Sequence, residues 1–398
     1  MDVIIFSLIR HDAPISSTSL ALAKVLCHTN RVIYLDHPSS FKDVIKESGL
    51  WVLLKRWWDE RRGKFKAFKI EHNGHAFWAV KPWMSLPING LKPGKLYDLL
   101  AKYNDRRLHR LMRSIIKHYQ IGDYIFVNAM DPWFFHNIKL PKMPSRTVYY
   151  MLDDIAEVPY TARHGLRLED EKLRKSDIAF ATSRELIRLK KHIRPDIYFL
   201  PNAVDFQLFH KASLPNLEKP AELADIHSPI IAYVGHLDFR VNREIVFGIL
   251  EAHTDKTLLV IGPSSWTDAE MARLHSYPNF KFLGPRKIDQ LPAYMKYFAV
   301  GIIPFEMVKV TRSIYPLKVN EYLAAGLPVV ATPFSDDILD FSHIVALESS
   351  KEGFVEAINR VIKSNSPEVV EQRYEIASSN TWERRVDYFW EVLKKHPN

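Results

Sequence analysis

SIYPLKVNEYLAAGLPVVAT, residues 313–332, reads as a short helix followed by a strand, with its punctuation intact. Pro316 suits the first helical position, and Gly326 suits the left-handed stop just past the helix end. Pro328 then opens a β-branched run over 329–331. The helix therefore lies between the loop leaving one strand and the start of the next. Its N-terminus presents the amides of Leu317 and Lys318 with positive dipole character, a cradle for phosphate. Lys318 and Glu321 are three residues apart and share a face. A cation beside phosphates and a carboxylate one turn deeper suit a diphosphate followed by the two hydroxyls of a ribose. The plainer reading is a solvated ion pair on an ordinary helix.

Working outward, short β-branched runs alternate with helical spacing through most of the chain, the pattern of parallel sheets flanked by helices. Strands are expected at 3–9, 32–35, 124–128, 147–152, 178–182 and 197–200 in the first half. In the second half they are expected at 230–234, 257–261, 279–283, 300–303 and 328–331. Residues 19–27 and 95–119 have helical spacing, the first after the cap-like Ser16 and Ser17, and 40–95 reads as irregular. The polar, proline-containing stretch 211–228 breaks the periodicity and is the expected linker. The expected division is a domain at 1–210, a second at 229–378 and a final helix at 379–398, with Trp382, Val386, Phe389, Trp390 and Leu393 on one stripe. The fold class is α/β, with two Rossmann-like doubly wound domains facing a central cleft. In such sheets ligands bind at the carboxyl ends of the strands.

Composition narrows the setting. Cys27 is the one cysteine, so a disulfide framework and a cysteine zinc site are excluded and a reducing compartment is expected. The first residues, MDVIIFSLIR, carry charge in the wrong places for a secretory signal and read as a buried strand. No run approaches the length that spans a bilayer. A cytoplasmic protein is expected, peripheral on the inner face of the plasma membrane where it meets lipid. The formal net charge of +9 implies an anionic partner. Nucleic acid is not expected, because zinc-finger spacing, an RNP signature and a GXXG clamp are all missing. Residues 51–69, WVLLKRWWDERRGKFKAFK, interleave tryptophan and phenylalanine with lysine and arginine, as interfacial segments do. An anionic membrane surface is the expected partner of that stretch; the bland reading is a core helix.

PLKVNEYLAAGLPVVAT resembles the donor-site motif of GT-B glycosyltransferases, in particular the family 4 (group 1) enzymes. Further pieces agree in order: LPNAVDFQLF (200–209), IAYVGHLDFRVNREIV (231–246), LLVIGP (258–263) and FKFLGPRKIDQLPAYMKYFAVGIIPF (280–305). In the first half, YYMLDDIAE (149–157) and DIAFATSREL (177–186) are also similar to the family. The resemblance implies a GT-B fold, with 1–210 binding the acceptor, 229–378 binding a nucleotide-diphosphate sugar, and the last helix crossing back to the first domain. It implies a glycan or lipid-linked acceptor in cell-surface polysaccharide assembly, transfer with retention, and no cofactor or metal. Glu321 would take the ribose hydroxyls, and Leu317 and Lys318 the diphosphate. Arg240 and Arg243, beyond Gly235, would be phosphate cations. Gly284, Pro285 and Arg286 would line the base. Many family members carry a glutamate eight residues before the ribose glutamate; here that position is Ser313, with Glu306 and Arg312 nearby in sequence.

On the acceptor side, His11 follows the first strand, and Asn128, Asp131 and Trp133 follow the strand at 124–128. By topology both loops open at the carboxyl edge, where His11 and Asp131 could position or deprotonate a hydroxyl. The bland reading is loop residues that cap a following helix. Two other functions share the fold: a nucleotide-sugar 2-epimerase, and a glycosyltransferase-like binding protein without turnover, the latter motivated by Ser313.

Overall fold

A computed structural model describes residues 1–13, 17–136, 142–157 and 159–396. Ser16 and Pro14 lie outside the described residues; Ser17 accepts from the Leu20 amide and caps the helix Thr18–Leu26. The chain divides into two compact units. The first comprises Met1–Thr182, Leu186–Leu200 and the chain from Val386 onward. The second comprises Ser183–Glu185 and Pro201–Arg385. Residues 201–210 thus fold with the second unit. The Val204 N–H donates to the Asn380 carbonyl at 3.0 Å, and Asp205 caps the turn Phe206–Phe209.

The first unit is built on strands β1 (Asp2–Ser7), β2 (Arg31–Asp36), β3 (Lys66–His72), β4 (His75–Lys81), β5 (Tyr124–Ala129), β6 (Arg146–Met151), β7 (Ile178–Ala181) and β8 (Ile197–Phe199). They lie in the order β3-β4-β2-β1-β5-β6-β7-β8, and every pairing but β3–β4 is parallel. A parallel sheet is covered on both faces, so its central strands read as continuous apolar runs. β1 shows the consequence. Val3 and Ile5 enter one core with Leu22, Leu26 and Phe389, while Ile4 and Phe6 enter the opposite core with Leu111, Met112 and Ile115. The final helix, Trp382–Lys395, contributes Val386, Phe389, Val392 and Leu393 to the first of these cores, with Trp390 packed partly buried against it. Trp382, expected on the same face, belongs to the second unit's residues.

The stretch 40–95, expected to be irregular, forms a helix and two strands. Ser40 and Asp43 form a capping box that opens a helix, Phe41–Arg61, kinked at Gly49 where φ is 78°. β3 and β4 form a hairpin whose turn, Asn73-Gly74, takes positive φ at both residues, as a two-residue hairpin loop requires. The kink interrupts the helical spacing, and the edge strand β3 is only partly buried, through Ala67 and Ile70, so neither period stands out in the sequence. Residues 51–69 are consequently not one amphipathic segment. Trp51 to Arg61 are helical, whereas Lys66, Phe68 and Lys69 lie on β3.

The second unit contains β9 (Ile230–Val234), β10 (Thr257–Ile261), β11 (Phe280–Gly284), β12 (Phe298–Ile303), β13 (Val329–Ala331) and β14 (Ala346–Leu347). The order is β11-β10-β9-β12-β13-β14, parallel throughout. In both sheets the chain works outward from a central strand, returns, and continues on the other side. That reversal leaves a crevice at the carboxyl ends of β1 and β5 in one unit and of β9 and β12 in the other.

Candidate functional site

In the second unit, the loops leaving β9 and β12 are stitched together at the reversal point. Val241 bridges to Phe305, the Asn242 N–H donates to the Pro304 carbonyl at 2.7 Å, and the Glu306 N–H donates to the Arg240 carbonyl at 2.7 Å. The Asn242 amide also donates to the Glu306 carboxylate at 3.0 Å. Glycine lines the edge of this floor. A Cβ on Gly262 would lie 1.9 Å from the Gly235 carbonyl oxygen, so the loops after β9 and β10 touch backbone to backbone. The Gly262 N–H donates in turn to Gly284, which takes a φ of 67° at the end of β11.

The helix from the opening motif runs Leu317–Ala324, with Pro316 as its cap residue rather than its first helical residue. Gly326 ends it at a φ of 76°, and the Leu327 N–H reaches back to the Tyr322 carbonyl. The Tyr322 hydroxyl accepts from the Val234 amide at 2.9 Å, which ties the helix to the last residue of β9. Gly301 makes this contact possible, because a Cβ there would meet the Tyr322 ring at 2.7 Å. Glu321, the preceding residue, is 3% exposed and receives the Lys318 ammonium at 2.7 Å. Lys318 itself stays about one-third exposed. The Leu317 N–H, expected to face outward, is turned onto the Tyr315 carbonyl at 2.8 Å. Ser313 is buried, and its hydroxyl has no partner among the described residues.

The arginines are less open than their spacing suggests. Arg240 is chelated by Asp238, Nε to Oδ1 at 3.0 Å and a terminal nitrogen to Oδ2 at 2.6 Å. Arg243 pairs with Glu270 and stacks 4.8 Å from the Trp266 ring. Arg286 spends its donors on the Leu283 and Pro285 carbonyls, the Tyr294 hydroxyl and Glu222, which makes it a staple of the loop after β11.

In the first unit, two histidine–aspartate pairs stand at the carboxyl edge. The His11 ring donates through Nδ1 to Asp36 at 2.7 Å, and the His11 amide donates to the same carboxylate at 2.9 Å. Burial pushes the Asp36 carboxyl above its ordinary range, with the His11 contacts acting against it. The His37 ring donates through Nδ1 to Asp131 at 2.6 Å. Asp131 is fully buried; it also takes the Trp133 amide, and it exchanges bonds with Asn128 through its own backbone. It therefore orders a turn and a ring rather than capping a helix. A cavity of about 700 Å³ opens beside it, lined by Arg10, His37, Lys42, Lys46, Asn104 and Trp133 among others. Neither His11 nor Asp131 is in that lining. His37 is, and its tie to Asp131 fixes the tautomer that leaves Nε2 as an acceptor. His11, Asp12 and Asp36 bring ligand atoms within 4.8 Å of one another, but Asp12 is already held by Arg10 and Lys81.

Residues 228–364 match the family model described as Glycosyl transferases group 1, a span that begins just before β9 and takes in all of the second unit's site. The folds of solved transferases agree over the whole chain. Trehalose-6-phosphate synthase from E. coli, solved with UDP-2-fluoro glucose, is 12% identical with a TM-score of 0.66, covering 99% of each chain. The chain has the GT-B fold and resembles the group 1 glycosyl transferases. Sucrose-phosphate synthase from Thermosynechococcus elongatus is 15% identical with a TM-score of 0.64, covering 99% of this chain and 98% of that one. At such identities the GT-B likeness is one of fold. In sequence, the chain is 26% identical over 207 residues to the putative teichuronic acid biosynthesis glycosyltransferase TuaH of Bacillus subtilis (strain 168). That match covers 48% of each protein, so the chain spans about half the length of this relative.

Four residues of these GT-B units escaped the reading of the sequence as site members: His37, Asp36, Asp238 and Asn242. His37 and Asp36 sit in the Asp36-His37-Pro38 turn that closes β2, and polar residues at a strand's carboxyl end were the available signal. Asp238 and Asn242 lie within the quoted loop, but only folding brings them onto Arg240 and Glu306.

Proposed function

We propose that the protein transfers a sugar from a nucleoside-diphosphate sugar to a hydroxyl of a glycan or lipid-linked saccharide. The observation that carries this reading is the buried Glu321 with Lys318 at 2.7 Å, on a helix tied to the end of β9 beside Gly235. A carboxylate so placed accepts from two ribose hydroxyls, while the part-exposed Lys318 meets the diphosphate, joined by Arg240 where a phosphate oxygen replaces one of its bonds to Asp238. Gly235 keeps the backbone open to close approach, and Gly284 with the Arg286 backbone borders the base. Charge on the leaving diphosphate is then met by side chains, without need of a metal ion. In the reaction the bond between the anomeric carbon and the phosphate oxygen breaks, and the acceptor oxygen bonds to that carbon. The acceptor proton passes to the diphosphate, with retention of configuration. His37, positioned by Asp131, holds the acceptor hydroxyl through Nε2. The teichuronic acid biosynthesis in the relative's name supports a polysaccharide as the product; its assembly for the cell surface, at the cytoplasmic face of the membrane, is part of the same proposal.

Incubation with UDP- and GDP-sugars, with release of the nucleoside diphosphate as the readout, tests this reading. Turnover that falls at least tenfold in His37→Ala with donor affinity unchanged is the expected pattern. Epimerised donor in the absence of acceptor would assign the site to a 2-epimerase. Tight binding without turnover would assign it to a binding protein, the alternative raised by Ser313 standing where many family members carry a glutamate.

A second reading concerns lipid. Trp51 is 85% exposed and Trp58 55% exposed on the helix Phe41–Arg61, beside Leu50, Leu54 and Lys55. Exposed tryptophans among cations favour the head-group level of an anionic membrane. Among the described residues no helix is long and apolar enough to cross one. Co-sedimentation with anionic but not neutral vesicles, lost in Trp51→Ala/Trp58→Ala, is the expected result.

A further inference from the structure

Between the helices Phe41–Arg61 and Lys95–His118 lies a second hollow, of about 490 Å³. Its wall carries Arg61, Arg107, Arg110 and Arg113 with the rings of Trp57 and Tyr103, and Glu60 is the one carboxylate in the lining. Spacings of three and four place Arg107, Arg110 and Ser114 on one helical face, so the guanidinium groups are gathered by sequence as well as by fold. Arg107 is 3% exposed. It pairs with Glu60 and packs against the rings of Phe41 and Tyr103, yet its Nε–H is buried without an acceptor among the described residues. Arg61 lies 3.8 Å over the Trp57 ring. Among the described residues no carboxylate pairs with Arg61, Arg110 or Arg113.

A buried polar side-chain atom ordinarily has at least one hydrogen-bond partner. Here a concave wall gathers four guanidinium groups around one carboxylate, and it includes an orphaned buried donor. Planar guanidinium forks with aromatic sides match the tetrahedral oxygens of phosphate. We propose that this hollow binds a phosphate ester, presented by a lipid head group or by a small soluble molecule. None of its arginines belongs to the Glu321 or His37 sites, so the proposal stands apart from the transfer reaction.

The test uses the full chain and Arg110→Gln/Arg113→Gln, a pair on exposed positions that leaves the buried Arg107 in place. Calorimetry with sn-glycerol 3-phosphate is the soluble arm. Co-sedimentation with phosphatidylcholine vesicles, with and without phosphatidylglycerol, is the lipid arm. Binding weakened about tenfold or more in the variant, with nucleoside-diphosphate affinity unchanged, is expected in one arm, since each lost bond to a charged group is worth roughly a decade. Loss in the soluble arm identifies a free phosphate ester, and loss confined to the phosphatidylglycerol vesicles identifies a head group. Wild-type protein that binds neither probe, or a variant that binds as the wild type does, overturns the proposal. So does an Arg110→Lys/Arg113→Lys pair with undiminished affinity, which would reduce the hollow to unspecific positive charge.

Discussion

Replacing Glu321 by alanine should weaken donor binding by about 2–4 kcal/mol, or roughly 30- to 700-fold in Kd. Two hydroxyl bonds to a charged acceptor are lost, each worth about 1.5–3 kcal/mol, and water recovers part of the difference. The structure limits side effects. Glu321 is almost fully buried, but its partner Lys318 is about one-third exposed, so the freed ammonium returns to water instead of remaining as an unpaired buried charge. The helix keeps its tie to β9 through the Tyr322 hydroxyl, which the substitution does not touch. The melting temperature should therefore stay near that of the wild type. Calorimetry with the preferred nucleoside diphosphate measures the loss. A 2′,3′-dideoxy form of the same nucleotide closes the cycle: it should bind the wild type weakly and lose little further affinity in the variant. If the folded variant binds the full nucleotide as well as the wild type does, Glu321 does not hold the ribose and the donor-site assignment fails. Equal losses for the full and dideoxy nucleotides would refute the hydroxyl contact in particular.

Lys318→Ala and Arg240→Ala should each lose far more affinity for the nucleoside diphosphate than for the nucleoside, and equal losses would make both cations structural. Gly262→Ala should lower the urea midpoint sharply, because a Cβ at 1.9 Å from the Gly235 carbonyl forces β9 and β10 apart at their ends; a wild-type midpoint would contradict that packing. Phe389→Ala empties a fully buried position in the first unit's core and should cost about 3–5 kcal/mol in chemical unfolding, whereas under about 1 kcal/mol would make the last helix peripheral. Burial and nearby Lys172 hold the His136 ring pKa down to about 3, so the unfolded chain takes up a proton there that the folded chain refuses. Stability from this group is complete above about pH 6.5 and is lost as the pH falls toward 3, so a His136→Asn variant should show a flatter decline over that window.

Alternating apolar runs and helical spacing determined the two α/β units from sequence alone, because burying both faces of a parallel sheet leaves a long, unbroken signature in each strand. The helix Leu317–Ala324 was legible for a related reason. Pro316, Lys318, Glu321 and Gly326 act within one or two turns, and local geometry settles where they stand. Interactions between residues far apart in the chain were not legible. His37 meets Asp131 only because β2 and β5 flank β1 in the sheet, and that order is a property of the assembled strands. Arg240 and Arg243 looked like open phosphate cations until folding brought Asp238 and Glu270 onto them. The helix and hairpin within 40–95 were hidden for the opposite reason: a kink at Gly49 and an edge strand weaken the periodic burial that makes elements readable. Tertiary structure decided which charges remain available to a ligand, since a long side chain takes whichever partner the fold delivers and sequence spacing records only its neighbours.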